Sequence, residues 1–340
     1  MDDGLWIDIT LFVCAAGAIG VFGIRMTHIV RELAVVTGLG EAFMGAVLVG
    51  AATSLSGIVA SATAASQGEA GLAVSNSLGG IAAQTLFLVV ADIAYRKANL
   101  EFAAASAENL MMSVQLMVLL GIVLVAFSMP AVSILAVHPA SVALIAAYLF
   151  TLKLLVDVHE KPMWLPRMSR GTVLEANPRE GDHSAPPLRR LLLGFGVCAA
   201  VVGIAGWLIA SSGMAIVERT GLSTGIVGGI FIAVSTSLPE LVVAVTAIRM
   251  GALTLAVGDI VGGNAFDTLF IAVSDLFYRE GPIYTAITSP ERIWLASAML
   301  MNSVLLMGLI YRERRGIANI GMESTIILLV YAGTVVLLAR

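Results

Sequence analysis

Uninterrupted apolar runs of about 20 residues recur along the whole sequence, and each is long enough to cross roughly 30 Å of hydrocarbon as a helix. Of 340 residues, 59% are hydrophobic and 12% are charged, whereas a soluble domain carries about 25% charged residues. A transmembrane barrel would need alternating segments of about 10 residues, and these runs do not alternate. The sequence therefore predicts an all-α, polytopic integral membrane protein that folds in the lipid bilayer.

Ten membrane-spanning segments are predicted from these runs. They lie at about 5–26, 40–66, 70–95, 108–128, 132–156, 190–217, 224–249, 252–277, 292–311 and 320–339. The one markedly polar stretch, 158–188, separates the first five spans from the last five. It is too short for a folded regulatory domain and is interpreted as a linker between a first half, 1–157, and a second half, 189–340.

Lysine and arginine are distributed unequally over the predicted loops. One set of loops carries 14 of these residues, and the other set, counted with the C terminus, carries 4. Because cytoplasmic loops are enriched in Lys and Arg, both termini are predicted to be extracytoplasmic and the linker to be cytoplasmic. The acidic N terminus, MDDGLWIDIT, lacks the basic region of a cleavable signal peptide, so the first span is expected to be retained. The expected location is a prokaryotic plasma (inner) membrane.

Residues 40–96 and 223–279 are two copies of one segment. Aligned without a gap at a constant offset of 183, which we call the repeat offset, they share 21 identities in 57 positions, including glycine pairs, threonines and an aspartate. The shared aspartates, Asp92 and Asp275, each precede a Tyr-Arg pair and are expected to contact an arginine at the membrane surface. Five spans separate the copies, so the second crosses the membrane in the opposite sense. Such inverted repeats are typical of secondary transporters, whose substrate sites lie near the midplane between discontinuous helices.

Polar and glycine-rich elements interrupt the apolar runs within each copy. Residues 53–57 and 236–240 interrupt the second and seventh spans, and SNSLGG (75–80) and GDIVGG (258–263) are expected to interrupt the third and eighth. Such breaks free backbone carbonyls, which inside a membrane are tolerated only against protein or a hydrated cavity. There they can ligate a cation. An intramembrane carboxylate such as Glu240 is costly unless it is paired, hydrated or bound to a cation.

These elements resemble the α-repeats of the cation/calcium exchanger superfamily, which includes the sodium/calcium exchangers. In that family a G-T-S-x-P-E element is followed further along by G-N-x-x-G-S-N-x-x-N/D. The resemblance covers both repeats directly and, through the ten-span layout with a central cytoplasmic linker, the whole chain. It implies a central cation site formed by repeat carboxylates, hydroxyls and carbonyls, and outer helices that slide to give alternating access.

The second repeat matches this pattern well. STSLPE supplies Thr236, Ser237 and the acidic residue Glu240, whereas GDIVGGNAFD supplies Asp267 at its last position and Asp259 where the family has Asn. The resemblance implies that these five residues ligate the transported cation. Two alternatives to ligation stay open. Glu240 or Asp259 could make a structural hydrogen bond, and the serine and threonine hydroxyls could donate to backbone carbonyls one turn earlier.

The first repeat departs from the pattern. ATSLSG keeps Thr53 and Ser54 but has Gly57 where the second glutamate would stand, and SNSLGGIAAQ keeps Asn76 but ends in the neutral Gln84. The four polar residues are predicted to be neutral oxygen ligands. Calcium takes about 6–8 oxygen ligands, and its affinity depends partly on their charge. The lost carboxylate therefore leaves Ca²⁺, Na⁺, K⁺ and H⁺ open as transported ions, and a glutamate placed at Gly57 is expected to strengthen calcium binding.

The predicted function is secondary active cation antiport, with Na⁺/Ca²⁺ exchange by alternating access favoured over H⁺- or K⁺-coupled exchange in the same fold. The degenerate first repeat suggests a second hypothesis, a non-transporting ion-binding membrane sensor. An intramembrane aspartyl protease is disfavoured, because AVGD (256–259) has no partner Tyr-Asp and the inverted repeat would be unexplained. The chain is thus not expected to be an enzyme or to hold a prosthetic group. Metal cations are the expected partners; no basic patch interleaved with aromatic residues suggests nucleic acid, and no protein partner is indicated.

Overall fold

The computed structural model describes residues 3–37, 49–95, 98–134, 137–161, 163–165, 167, 186–220, 230, 232–313 and 321–339, and these are almost entirely helical. In the first half the helices are α1 (Asp3–Thr37), α2 (Gly50–Thr53), α3 (Leu55–Ser66), α4 (Ala70–Ala94), α5 (Leu100–Ala103), α6 (Ala107–Ser128) and α7 (Pro139–Glu160). In the second half they are α8 (Leu188–Thr220), α9 (Ala233–Thr236), α10 (Leu238–Arg249), α11 (Leu253–Phe277), α12 (Ser289–Tyr311) and α13 (Met322–Leu338).

Seven of the described helices, α1, α4, α6, α7, α8, α11 and α12, are long and apolar enough to cross a membrane. Helices α3 and α13 are shorter apolar helices of 12 and 17 residues. Large apolar side chains such as Val13, Phe150 and Leu329 are 61–66% exposed, as expected for a surface that faces lipid. The chain is therefore a multi-pass membrane protein. The count of ten spans stays a prediction, because 38–48 and 221–229 lie outside the described residues.

The second and seventh predicted spans are interrupted where the polar residues indicated. Ser54 separates α2 from α3, and Ser237 separates α9 from α10. Each interruption is a single turn residue, because the Ser54 N–H still donates to Gly50 O and the Ser237 N–H to Ala233 O. Pro239 lies in the first turn of α10, where a helix does not need the N–H that proline lacks.

The breaks expected in the third and eighth spans are wrong. Residues 75–80 lie inside the continuous helix α4 and residues 258–263 inside the continuous helix α11, each of 25 residues. The glycines allow close packing instead: a Cβ on Gly50 would lie 2.9 Å from Gly263 N, and a Cβ on Gly263 would lie 3.3 Å from Gln84 Oε1. Glycine destabilises a helix interior by only roughly 1 kcal/mol relative to alanine. A glycine that lets a neighbouring backbone approach can therefore lie inside a continuous helix.

Helices α4 and α11 form the centre of the molecule. Most of their side chains are buried, and α4 packs against α3, α10, α11 and α12. Helices α1 and α8 pack along each other outside this centre, with α1 also against α10 and α8 against α3. Ala15, Ile19 and Ala205 from this outer pair form a small hydrophobic cluster of their own. The broken helices thus lie between the central pair and the outer pair.

Asp92 and Asp275 occupy the same position in the two repeats and make equivalent contacts. Some of the residues that they contact lie outside 40–96 and 223–279. Each carboxylate accepts two backbone N–H groups and one serine hydroxyl. For Asp92 the donors are Leu100 N, Gly321 N and Ser324 Oγ, at 2.8, 3.1 and 3.1 Å. For Asp275 the donors are Ile283 N, His138 N and Ser141 Oγ, at 3.0, 2.7 and 2.8 Å. Each donor to one aspartate is related by the repeat offset to a donor to the other. We call these two arrangements the aspartate clamps. Backbone amides and a serine hydroxyl, not the expected Arg279, occupy the carboxylate of Asp275; the arginine expected beside Asp92, Arg96, lies outside the described residues.

Candidate cation site

The first cluster of the site surrounds Asp267 on α11, which is 2% exposed. Gln84 on α4 donates from Nε2 to Asp267 Oδ2 at 2.7 Å and to Ser237 Oγ at 3.2 Å. The hydroxyl of Ser54, at the break before α3, faces the same carboxylate without a well-formed hydrogen bond. Four predicted ligands from the two repeats are therefore brought together: Ser54, Gln84, Ser237 and Asp267. Gln84 and Asp267 occupy the same position in the two repeats and contact each other directly.

The second cluster surrounds Glu240, in the first turn of α10, which is 1% exposed. The hydroxyl of Thr53 faces this carboxylate from the other repeat. However, Thr53 Oγ1 donates to the carbonyls of Val49 and Gly50 one turn earlier, at 3.0 and 3.1 Å. Because a hydroxyl has only one proton to donate, Thr53 does not supply Glu240, and both carboxylate oxygens of Glu240 are without a donor among the residues that the structure describes.

Asn76 and Thr236 join the two repeats but already have protein partners. Asn76 Nδ2 donates to Gly57 O at 3.2 Å and to Ser61 Oγ at 2.9 Å. Thr236 Oγ1 lies 3.1 Å from Ala233 O and 3.4 Å from Asn76 Oδ1 and shares its proton between them. The alternative role foreseen for the threonines, a hydrogen bond to a carbonyl in the preceding turn, is therefore present in both.

Among the described residues, eight buried side-chain oxygens around the α4–α11 crossing have no hydrogen-bond donor. They are Ser54 Oγ, Gln84 Oε1, Glu240 Oε1 and Oε2, Asp259 Oδ1 and Oδ2, Asn264 Oδ1 and Asp267 Oδ1. The negative charges of Asp267 and Asp259 both act on Glu240. Leaving buried acceptors without donors is costly, and leaving buried charges unpaired is more so. A dehydrated cation satisfies such oxygens, so the donor set fits Na⁺ or Ca²⁺.

The carboxylates alone do not form a metal centre. Among the described residues, no three carboxylate, thiolate or imidazole groups converge closely enough to hold a metal ion. A cation here would therefore be ligated by one or two carboxylates together with neutral oxygens such as Gln84 Oε1 and Ser54 Oγ. Mixed sets of this kind are usual for hard cations.

Asn264 carries a further buried oxygen without a donor and was not among the predicted ligands, although GDIVGGNAFD keeps the asparagine of the family motif at this position. Its Nδ2 donates to Thr85 Oγ1 at 3.0 Å, and its Oδ1 is fully buried without a donor. The corresponding position in the first repeat is Ile81, so the polar residue is present on one side of the symmetry only. The asparagine of the family motif is the signal that could have identified it.

Phe270 occupies the space beside Gly57, where the first repeat lacks its carboxylate. A Cβ on Gly57 would lie 2.3 Å from Phe270 Cε2, and the ring is 2% exposed and packed edge-on against Phe266. A longer side chain at this position therefore requires the ring to move. The expectation that a glutamate at Gly57 strengthens calcium binding stays a prediction, with the added condition that the Phe270 ring gives way.

Known proteins are similar to this chain in sequence or in fold. The family described as "Sodium/calcium exchanger protein" matches residues 7–156 and 190–340. The sodium/calcium exchanger MaX1 of Methanosarcina acetivorans is 39% identical over 82 residues, 24% of this chain and 23% of that protein. The putative antiporter CaxA of Alkalimonas amylolytica is 30% identical over 126 residues, 37% of this chain and 38% of that protein. The chain thus spans well under half the length of each of these curated relatives.

Solved structures of the sodium-calcium exchanger NCX_Mj share the fold over nearly the full length. The form soaked with 2.5 mM Na⁺ and 0.1 mM Ca²⁺ has a TM-score of 0.69 at 18% identity, covering 97% of this chain and 98% of that one. The form with zero Na⁺ and Ca²⁺ has a TM-score of 0.68 at 18% identity, with the same coverage. The family match covers both halves of the sequence and both repeats that form the site. The chain therefore belongs to the sodium/calcium exchanger protein family.

Proposed function

We propose that the protein is a secondary active antiporter that exchanges Na⁺ for Ca²⁺ at the site around Glu240 and Asp267. The observation that carries this proposal is the set of eight donorless oxygens, contributed by both repeats and buried where the central and broken helices meet. Two cations that use the same carboxylates exclude one another, and this competition is what exchange requires. MaX1 and NCX_Mj are named as sodium/calcium exchangers, which supports the choice of ions.

Alternating access would come from movement of the α1–α8 pair over the broken helices. At Gly206, α8 approaches α3 so closely that a Cβ would lie 2.4 Å from Ser56 Cβ. At Gly23, α1 approaches α10, and a Cβ would lie 3.3 Å from Val242 Cγ1. The two glycines are related by the repeat offset and so occupy the same position in each half. Small residues at a helix interface allow the close packing that a sliding contact needs.

Coupling to H⁺ or K⁺ is the second candidate. Gln84 donates to Asp267 where a carboxylate would add negative charge, and a site with less negative charge favours a monovalent ion over Ca²⁺. In either case we place the protein in the plasma membrane, with both termini extracytoplasmic and the 158–188 linker cytoplasmic.

Uptake of radioactive calcium into proteoliposomes tests the proposal. Under an imposed sodium gradient, uptake is expected in the wild-type chain and is expected to be lost in Glu240→Gln and Asp267→Asn. Glu280→Gln removes an exposed carboxylate outside the site and serves as the matched control. Uptake that neither site substitution reduces would refute the site. Uptake driven only by proton or potassium gradients would favour the second candidate, and calcium binding without any flux would indicate a sensor.

A further inference from the structure

The two aspartate clamps differ in the residues beside them. Next to Asp92 lie two further acidic residues, Glu101 on α5 and Glu323 in the first turn of α13. The positions related to these by the repeat offset, beside the other clamp, are Tyr284 and Ala140. The clamp itself is therefore common to both halves, whereas the pair of glutamates is an addition on one side only.

The two glutamates are buried against each other. Glu101 is 1% exposed and Glu323 is 3% exposed. Both oxygens of Glu101, and Oε1 of Glu323, have no hydrogen-bond donor among the described residues. The two carboxyl groups nevertheless lie within hydrogen-bonding distance of each other. Two buried carboxyl groups that share a site do not both ionise readily, and the arrangement is satisfied when one of them carries a proton.

The other charged groups around Glu101, among the described residues, do not donate a hydrogen bond to its carboxyl oxygens. Asp92, at the end of α4, has its oxygens occupied by the clamp donors. Glu313, which follows α12, adds a further negative charge near Glu323. Arg312, the residue before it, donates from Nη2 to Phe102 O at 3.0 Å and places its Cζ 4.9 Å from the Phe102 ring.

The electrostatic surroundings of Glu101 also favour its protonated form. Burial raises the pKa of Glu101 well above its ordinary value, and the negative charges of Asp92 and Glu323 raise it further. The basic residues of the two adjoining loops, Arg96, Lys97, Arg314 and Arg315, lie outside the described residues.

We infer that Glu101 and Glu323 bind one proton between them, and that this proton site controls the packing of α5 and α13 against the end of α4. With the proton in place, a carboxyl–carboxylate hydrogen bond joins α5 to α13. Without it, three carboxylates repel one another at the clamp that holds both helices. The loops concerned belong to the arginine- and lysine-rich set, so the site senses the pH on the predicted cytoplasmic side. The inference does not depend on which cations the protein exchanges.

The sign of the pH dependence follows from the raised pKa. The folded chain keeps its proton on Glu101 at pH values where the unfolded chain has already lost it. The free energy of unfolding therefore falls as the pH rises from the ordinary glutamate pKa through the raised one. An amide at either position cannot ionise and removes the repulsion between the two carboxylates, so this dependence becomes smaller.

The test measures proton binding and stability on the full-length protein in detergent. The infrared spectrum of the wild type is expected to show a protonated-carboxyl carbonyl band that disappears at alkaline pH and is absent in Glu101→Gln. The melting temperature of the wild type is expected to fall by more than about 3 °C over the same pH range. That fall is expected to be smaller in Glu101→Gln and Glu323→Gln and to persist in full in Glu69→Gln, an exposed control.

Two results would overturn the inference. One is a carbonyl band and a pH-dependent melting temperature that are the same in Glu101→Gln as in the wild type. The other is an alkaline destabilisation that calcium reverses in the wild type but not in the glutamine variants, which would make the pair a cation site instead.

Discussion

Gln84→Glu is the substitution whose effect the site geometry specifies most closely. The amide of Gln84 now donates to Asp267 across 2.7 Å, and its own Oε1 has no donor. A carboxylate at this position is nearly isosteric but replaces the attractive contact by one between like charges. It also restores an acidic residue at the position related by the repeat to Asp267.

The size of the effect follows from Coulomb's law. Two unit charges about 4 Å apart in surroundings of effective dielectric constant about 20 repel by about 4 kcal/mol. Without a divalent cation, Gln84→Glu is therefore expected to lower the free energy of unfolding by about 4 kcal/mol, or the melting temperature by about 8 °C at about 2 °C per kcal/mol. A bound calcium ion removes the repulsion, so its affinity should rise by up to about a thousandfold, because each 1.4 kcal/mol is tenfold.

Thermal unfolding in a chelator and then across a calcium titration measures both effects. The measurement is made at alkaline pH, so that the introduced carboxyl group is ionised, and wild type is compared at the same pH. Gln67→Glu adds the same charge at an exposed position and is the matched control. Ligand stabilisation grows with the ratio of free calcium to its dissociation constant, so a tighter site gives a larger shift at the same concentration. If Gln84→Glu matches Gln67→Glu in both conditions, Gln84 and Asp267 do not share a cation site.

Gly57→Glu alone is expected to lower the melting temperature, because its Cβ would meet the Phe270 ring at 2.3 Å. Combined with Phe270→Ala it is expected to bind calcium more tightly than Phe270→Ala alone in titration calorimetry; equal affinities would show that position 57 does not reach the cation. Asp275→Asn is expected to destabilise the protein by about 3 kcal/mol in denaturant unfolding, because three donors lose their charged acceptor. Calcium uptake at a permissive temperature should persist, and its loss at unchanged stability would assign Asp275 to transport. Arg219→Ala breaks a 3.1 Å ion pair with the α1 residue Asp8 and is expected to change stability by less than about 1 kcal/mol, whereas a larger loss would mean that this pair holds the outer helices together.

The sequence predicted the helical membrane fold and the interruptions at Ser54 and Ser237, because polar residues stand out in an apolar run. It was wrong about 75–80 and 258–263. Glycine breaks a helix in one setting and allows a neighbouring backbone to approach in another, and the neighbour is known only from the fold. The packing of Gly50 against Gly263 decides between these roles in favour of close approach.

The sequence predicts which residues belong to the candidate site, but it could not predict their contacts. The motif positions indicated Gln84 and Asp267 separately, and the structure adds the hydrogen bond between them. It likewise shows that Phe270 fills the space beside Gly57, a contact between residues in opposite halves of the sequence. The fixed offset between the repeats predicts which positions correspond, whereas side-chain packing decides which of them touch.

The most direct measurement of the central claim is a structure of the protein with calcium or strontium bound, with the ion located by anomalous scattering. We expect an ion peak about 2.3–2.6 Å from carboxylate oxygens of Glu240 or Asp267, with neutral oxygens such as Gln84 Oε1 completing its ligands. A peak elsewhere in the chain, or no peak while both carboxylates accept hydrogen bonds from protein donors, would contradict it.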